Sequence, residues 1–98
     1  MFVGVGVYDL LLPPETSSLK AKRSVVRPVV AALRRLEVSA AETGHLEARG
    51  RAEVSVAVVG DSAARCREVL GRAERLVADR PEVTLLSARE VLRSEDDW

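Results

Sequence analysis

The segment Ser17–Leu36, SSLKAKRSVVRPVVAALRRL, constrains the fold of this chain more than any other. Set at 100° per residue, Leu19, Val26, Val29, Val30, Leu33 and Leu36 fall within about 120° of arc, the width a helix buries against one layer of structure. Lys20, Arg23, Arg27 and Arg34 form a narrower basic stripe beside that arc. Lys22 breaks the pattern, because it projects between Val29 and Leu33. A lysine inside an apolar arc either extends past the end of the core or meets a partner there. Lys20 and Lys22 are also the only lysines among 15 basic residues. Arginine and lysine differ in shape and hydration, so two lysines within three residues stand out against an otherwise arginine-based chain.

Around this helix the periodicities place further elements. Phe2–Leu12 alternates as a strand, with Val3, Val5 and Val7 on one face and Phe2, Tyr8, Leu10 and Leu12 on the other. Gly4 and Gly6 share the second face, where missing side chains leave room for a close approach. Pro13 and Pro14 end the strand, and Ser17 or Ser18 caps the helix. Pro28 removes one backbone donor and predicts a bend near Ser24, but the apolar arc stays in phase on both sides, so one bent helix is expected. VSAAETGH reads as a short second strand, LEARG as a loop turning at Gly50, and RAEVSVAVVG as a strand facing Val54, Val56 and Val58 one way. Asp61 or Ser62 caps a second helix with Cys66, Val69, Leu70, Ala73, Leu76 and Val77 on one stripe. After Pro81, EVTLLSAREVL is the last strand.

The order β, α, β, β, α, β is the split βαβ arrangement of a ferredoxin-like α+β sandwich, with a four-stranded antiparallel sheet and two helices on one face. A chain of 98 residues supports one such core; it is assigned to residues 1–94, with 95–98 as an acidic tail. The expected core is Val3, Val5, Val7, Leu33, Val54, Val56, Val58, Val69, Leu70 and Leu76. The open face then carries Phe2, Tyr8, Leu10, Ala57 and Val59, too apolar for a monomer, so pairing into a homodimer is expected.

Function is read against what is absent. Net charge is zero, so any affinity for nucleic acid must come from a local surface. One Cys and one His give neither a disulfide nor a clustered metal set, and neither a metal nor a cofactor is expected. The N-terminal stretch lacks a basic n-region and contains Asp9, which fits neither a signal peptide nor a membrane span, so a cytoplasmic protein with no membrane partner is expected. An RNA-recognition sheet needs aromatics on its central strands, and RAEVSVAVVG has none. Acylphosphatases require an Asn, and this chain has none; copper chaperones require two cysteines in the first loop, which has none. His45, near Glu42, is a candidate general base without a nucleophile beside it, which argues against an enzyme. Cys66 reads as a small core residue.

The runs VGVGVYDLLLP, SLKAKRSVVRPVVAALRR, VSAAETGH, RAEVSVAVVGD and RPEVTLLS, in this order, resemble the YlxP-like family of small bacterial proteins, a domain of unknown function. The SLKxKR run is the most specific. The chain departs at Ala21, where that pattern commonly has Glu, and in LEARG, which lacks the aromatic often found there. The resemblance implies the same fold, and the family's frequent gene neighbourhood with translation-initiation and ribosome-maturation genes implies a role near the ribosome or structured RNA. Two functions are therefore weighed. One is a non-enzymatic RNA- or ribosome-associated module that binds phosphates through Lys20, Lys22, Arg23 and Arg27. The other is a homodimeric module holding a small ligand on the open sheet face, near Tyr8. For Lys22 itself two partners compete: an anion at the helix N-terminus, or a carboxylate such as Asp61 or Glu42.

Overall fold

The structure is a computed structural model describing residues 1–98. Strand β1 (Phe2–Leu11) leads into helix α1 (Leu19–Arg34), then β2 (Ser39–Gly44), β3 (Arg51–Gly60), α2 (Ala63–Ala78) and β4 (Thr84–Ser94), with a single 3-10 turn at Glu95–Asp97. The sheet order is β2-β3-β1-β4, every neighbouring pair antiparallel. Both helices cover the same face, α1 over β2 and β3 and α2 over β1, β3 and β4. This is the ferredoxin-like sandwich that the element order dictates.

Each helix begins where its serine can accept an otherwise unpaired backbone donor. Ser18 Oγ accepts from Ala21 N at 3.0 Å, and Ser62 Oγ accepts from Arg65 N at 3.1 Å. Pro28 sits inside α1 without breaking it, on the exposed side of the helix. The tail Ser94–Asp97 is ordered by a reciprocal cap: Ser94 Oγ accepts from Asp96 N, and Asp97 Oδ2 accepts from Ser94 N at 2.7 Å.

The face assignment of β1 is the main correction. Gly4, Gly6, Tyr8 and Leu10 are buried under the helices, whereas Val3, Val5 and Val7 lie half-buried on the open face. The aliphatic triplet therefore does not belong to the core, and Tyr8 and Leu10 do not belong to the open face. The cause is volume. A Cβ on Gly4 would stand 3.0 Å from Leu70 Cδ1 and 3.3 Å from Cys66 Cβ, so the glycine is what lets α2 lie close to the sheet. The Tyr8 ring fills the space above Gly6 in the same way. Around them Val29, Leu33, Val54, Val56, Leu70 and Val77 complete one core, with Val58 and Leu76 packed at its margin.

The Tyr8 hydroxyl is buried and makes no hydrogen bond to protein. Burial, reinforced by the negative charges of Glu90 and Glu74, pushes its pKa up to about 12 from an ordinary 10. A phenol favoured in its neutral form stabilises the fold in full below pH 10, and that contribution falls as pH rises from 10 toward 12. Tyr8 is the only tyrosine, so the ultraviolet absorbance of tyrosinate reports it alone. The expected titration midpoint is near 12, or coincides with alkaline unfolding; ionisation near 10 in the folded protein excludes this burial.

Candidate functional site

Helix α1 presents two chemically different sets of cations. Lys20, Arg23 and Arg27 are exposed, and none takes part in an ion pair. They succeed one another at i, i+3 and i+7, so their stems rise along one side of the helix over about 10 Å. The first turn of α1 contains no acidic residue. With Ser24 and Pro28 the three cations border a shallow depression of about 530 Å³. Arg23 and Arg27 also form the rim of a second groove, about 600 Å³, between α1 and β2, whose floor is Val26, Val30, Ala31 and Ala41.

Arg34, the last member of the stripe, has a different use. Its Nε and Nη2 both donate to the carbonyl of Ala40, at 3.2 and 3.0 Å, and tie the edge strand β2 to the end of α1. Arg49 adds a cation at the other end. It lies in the β2–β3 loop, and its Nη1 donates to Ser17 O at 3.2 Å, just before the helix begins. Only the folded topology brings Arg49 there; the LEARG segment carries no local signal for it.

Lys22 is separate from all of these, at 2 % exposure. Its Nζ lies 2.8 Å from Glu42 Oε2 and donates to the carbonyl of His45 at 2.7 Å. Of the two carboxylates the sequence offered, Glu42 is the partner and Asp61 is not. The arrangement has a local logic. Glu42 shares the helix-facing side of β2 with Ala40, and the strand ends at Gly44, followed by His45, whose φ of 55° is left-handed. That turn aims the His45 carbonyl back at α1, where a buried ammonium needs acceptors. With a carboxylate in ionic contact, a carbonyl accepting its hydrogen bond and its head shielded, Lys22 is not part of the exposed cationic surface.

A second polar cluster occupies one end of the open sheet face. Arg51 Nη2 donates to Asp9 Oδ2, and His45 Nε2 lies 3.4 Å from Asp9 Oδ1. The Arg51 guanidinium, through its hydrogen bond and then its charge, holds the Asp9 carboxyl below the usual carboxylate range, with His45 adding to the effect against partial desolvation. Beside it, Thr43 Oγ1 bonds Glu53 Oε2 at 3.1 Å and Ser55 Oγ at 2.6 Å. The remaining Glu53 oxygen meets Arg89 Nη2 at 3.4 Å. His45 thus faces Asp9, while Glu42 is turned to Lys22. No three His, Cys, Asp or Glu side chains converge to hold a metal ion. No helix is long and apolar enough to cross a membrane.

The largest hollow, about 660 Å³, lies between the Pro13–Thr16 loop and Pro81–Thr84. Of its two acids, Glu15 and Glu82, Glu82 is held below the usual carboxylate range by its own backbone N–H and by Arg80, whose Nε donates at 2.8 Å. Tyr8 lines no surface hollow, since it is fully covered by the helix layer. Tyr8 therefore does not stand on the open face, where a ligand beside it was expected.

Solved structures share the architecture. A de novo designed protein, Foldit4, is similar over 97 % of this chain and 99 % of its own, with a TM-score of 0.55 and 14 % identity. A second designed protein with a ferredoxin fold, LFR1 1, is similar over 97 % of this chain and 87 % of its own, with a TM-score of 0.51 and 15 % identity. A dimeric ferredoxin-like protein of unknown function from Thermobifida fusca YX is similar over 94 % of this chain and 91 % of its own, with a TM-score of 0.45 and 15 % identity. At these identities the likeness to the two designed proteins speaks for the fold alone. No functionally curated protein matches the chain. A family model described as "Protein of unknown function (DUF503)" matches residues 3–90, and the chain belongs to that family.

Proposed function

We propose that this protein is a non-enzymatic module that binds structured RNA, in the setting of ribosome maturation, through the phosphate backbone. The observation that carries the reading is the row Lys20, Arg23 and Arg27: three exposed cations on one helix face with no acidic partner in their own chain. Charges so placed suit phosphate contact, which fixes position without reading bases. Arg49, at the start of α1, extends the row. The open sheet face has no aromatic to stack a base, which supports backbone contact over single-strand readout. The resemblance to YlxP-like proteins, with their translation-related gene neighbours, supports the same setting. Lys22 is left out of the binding set because its ammonium is committed to Glu42 and His45.

A filter-binding titration with a structured ribosomal RNA fragment tests this. Each phosphate contact contributes about 0.7 to 0.9 to the slope of log K against log salt. The Lys20, Arg23 and Arg27 triple alanine variant is therefore expected to lose about 2 to 3 units of slope, with an unchanged melting temperature because exposed charges contribute little to folding. Equal binding by variant and parent across salt, or no binding by the parent, overturns the reading.

A further inference from the structure

We propose that the open sheet face is covered by a second copy of this chain, related by a two-fold axis running along the strands. The face is divided lengthwise. Val3 and Val59 share one row, Val5, Ala57 and Val91 the next, and Val7 follows; Val59 is 70 % and Val91 41 % exposed. The surface turns polar from the Val7 row, which also holds Ser55 and Arg89, to the row of Asp9 and Glu53, each already paired, to Arg51 and to Arg89. The apolar side chains adjoin across neighbouring strands, so they form one contiguous apolar surface rather than scattered residues.

The zoning selects both occupant and symmetry. Two copies meeting face to face form an isologous contact, in which the surface must complement itself. An axis perpendicular to the strands would lay the valine end of one copy on the Asp9 and Glu53 end of the other. An axis along the strands keeps every row level, valine on valine, and exchanges the β4 edge with the β2 edge. Arg93 on β4 is in the Val3 row and has only the backbone carbonyl of Leu92 as a partner, at 3.2 Å. Glu37, two residues before Ser39 on the β2 side, lies at that same end of the sheet and is in no ion pair. The strand-parallel axis carries Arg93 of each copy to Glu37 of the other. Strand spacing and rise give the whole face a projected area of about 600 Å² and its valine rows roughly half of that, so the contact falls in the range of a weak dimer, below the ~800 Å² per partner of a standard interface. Helix α1, on the far side of each sheet, stays outside this contact, so the inference is independent of RNA binding.

Sedimentation equilibrium from micromolar to submillimolar concentration is the test, with circular dichroism to verify folding. The parent is expected at twice the chain mass. Val59→Asp, at an exposed position, is expected to weaken association by about 100-fold or more, because symmetry buries the new carboxylate twice. Arg93→Glu is expected to weaken it as well, and Arg93→Glu combined with Glu37→Arg to restore it. A parent that stays monomeric, or a Val59→Asp variant that stays dimeric, overturns the proposed face. Failure of the charge exchange to restore association overturns the axis.

Discussion

Lys22→Ala is expected to destabilise the protein by about 2 to 4 kcal/mol in denaturant unfolding, whereas Lys20→Ala, two residues away, leaves stability within about 0.5 kcal/mol of the parent. Three losses combine at Lys22. The ammonium at 2.8 Å from Glu42 disappears, the His45 carbonyl loses its donor, and the aliphatic stem leaves a gap beside Val26 and the sheet. Removing one member of a buried pair costs about 3 to 5 kcal/mol. The lower part of that range applies because the Glu42 side chain is 24 % exposed and recovers some hydration. Lys22→Met separates the contributions: it keeps the stem and removes the charge, so it is expected to recover part of the loss. A cost under about 1 kcal/mol for Lys22→Ala means that the clamp contributes no more than a surface pair.

Gly6→Val is expected to be at least as damaging, about 3 kcal/mol or more, and to leave part of the chain unfolded at ambient temperature. A Cβ at residue 6 would stand 2.5 Å from the Tyr8 hydroxyl oxygen, 2.9 Å from its Cζ and 3.2 Å from Val56 Cγ2. Neither neighbour has free space, since Tyr8 is fully buried and Val56 is 1 % exposed. Strand propensity favours valine over glycine, but on a scale of only about 1 kcal/mol, so steric conflict decides the sign. The same geometry specifies a rescue. Tyr8→Phe removes the atom that collides first, along with a hydroxyl that is buried without a protein partner. That substitution alone is expected to be neutral or mildly stabilising, and combined with Gly6→Ala it is expected to recover stability relative to Gly6→Ala alone. Paired unfolding curves measure both, and an unperturbed Gly6→Val variant refutes the packing described.

These two sites also show where sequence reasoning succeeds and where it stops. Element order and a single helix across Pro28 follow from periodicity, and each observed cap, Ser18 and Ser62, is one of the two candidates that capping chemistry offers; all of these signals are local. Lys22 stands out because helical phase is local too, and one of its two candidate carboxylates is the observed partner. The covered face of β1 was not legible. Alternation separates Val3, Val5 and Val7 from Gly4, Gly6 and Tyr8, but says nothing about which set the helices cover. Counting aliphatic side chains favours the valines, whereas the packing turns on one aromatic ring fitting over one glycine. The meeting of Asp9, His45 and Arg51, and the arrival of Arg49 at the start of α1, depend on β2–β3 geometry and on the left-handed turn at His45. Those contacts are long-range in sequence, and no local pattern encodes them.

The thiol of Cys66 is fully buried where α2 crosses β1, 3.8 Å from the carbonyl of Phe2, and it is the only cysteine in the chain. A reagent reaches it only after α2 lifts from the sheet, because the side chain has no exposed surface in the folded protein. The chain therefore carries a single chemical clock for its own breathing. When modification outpaces reclosure, its rate is the opening rate of the α2 layer; when reclosure is faster, it gives the free energy of the open form.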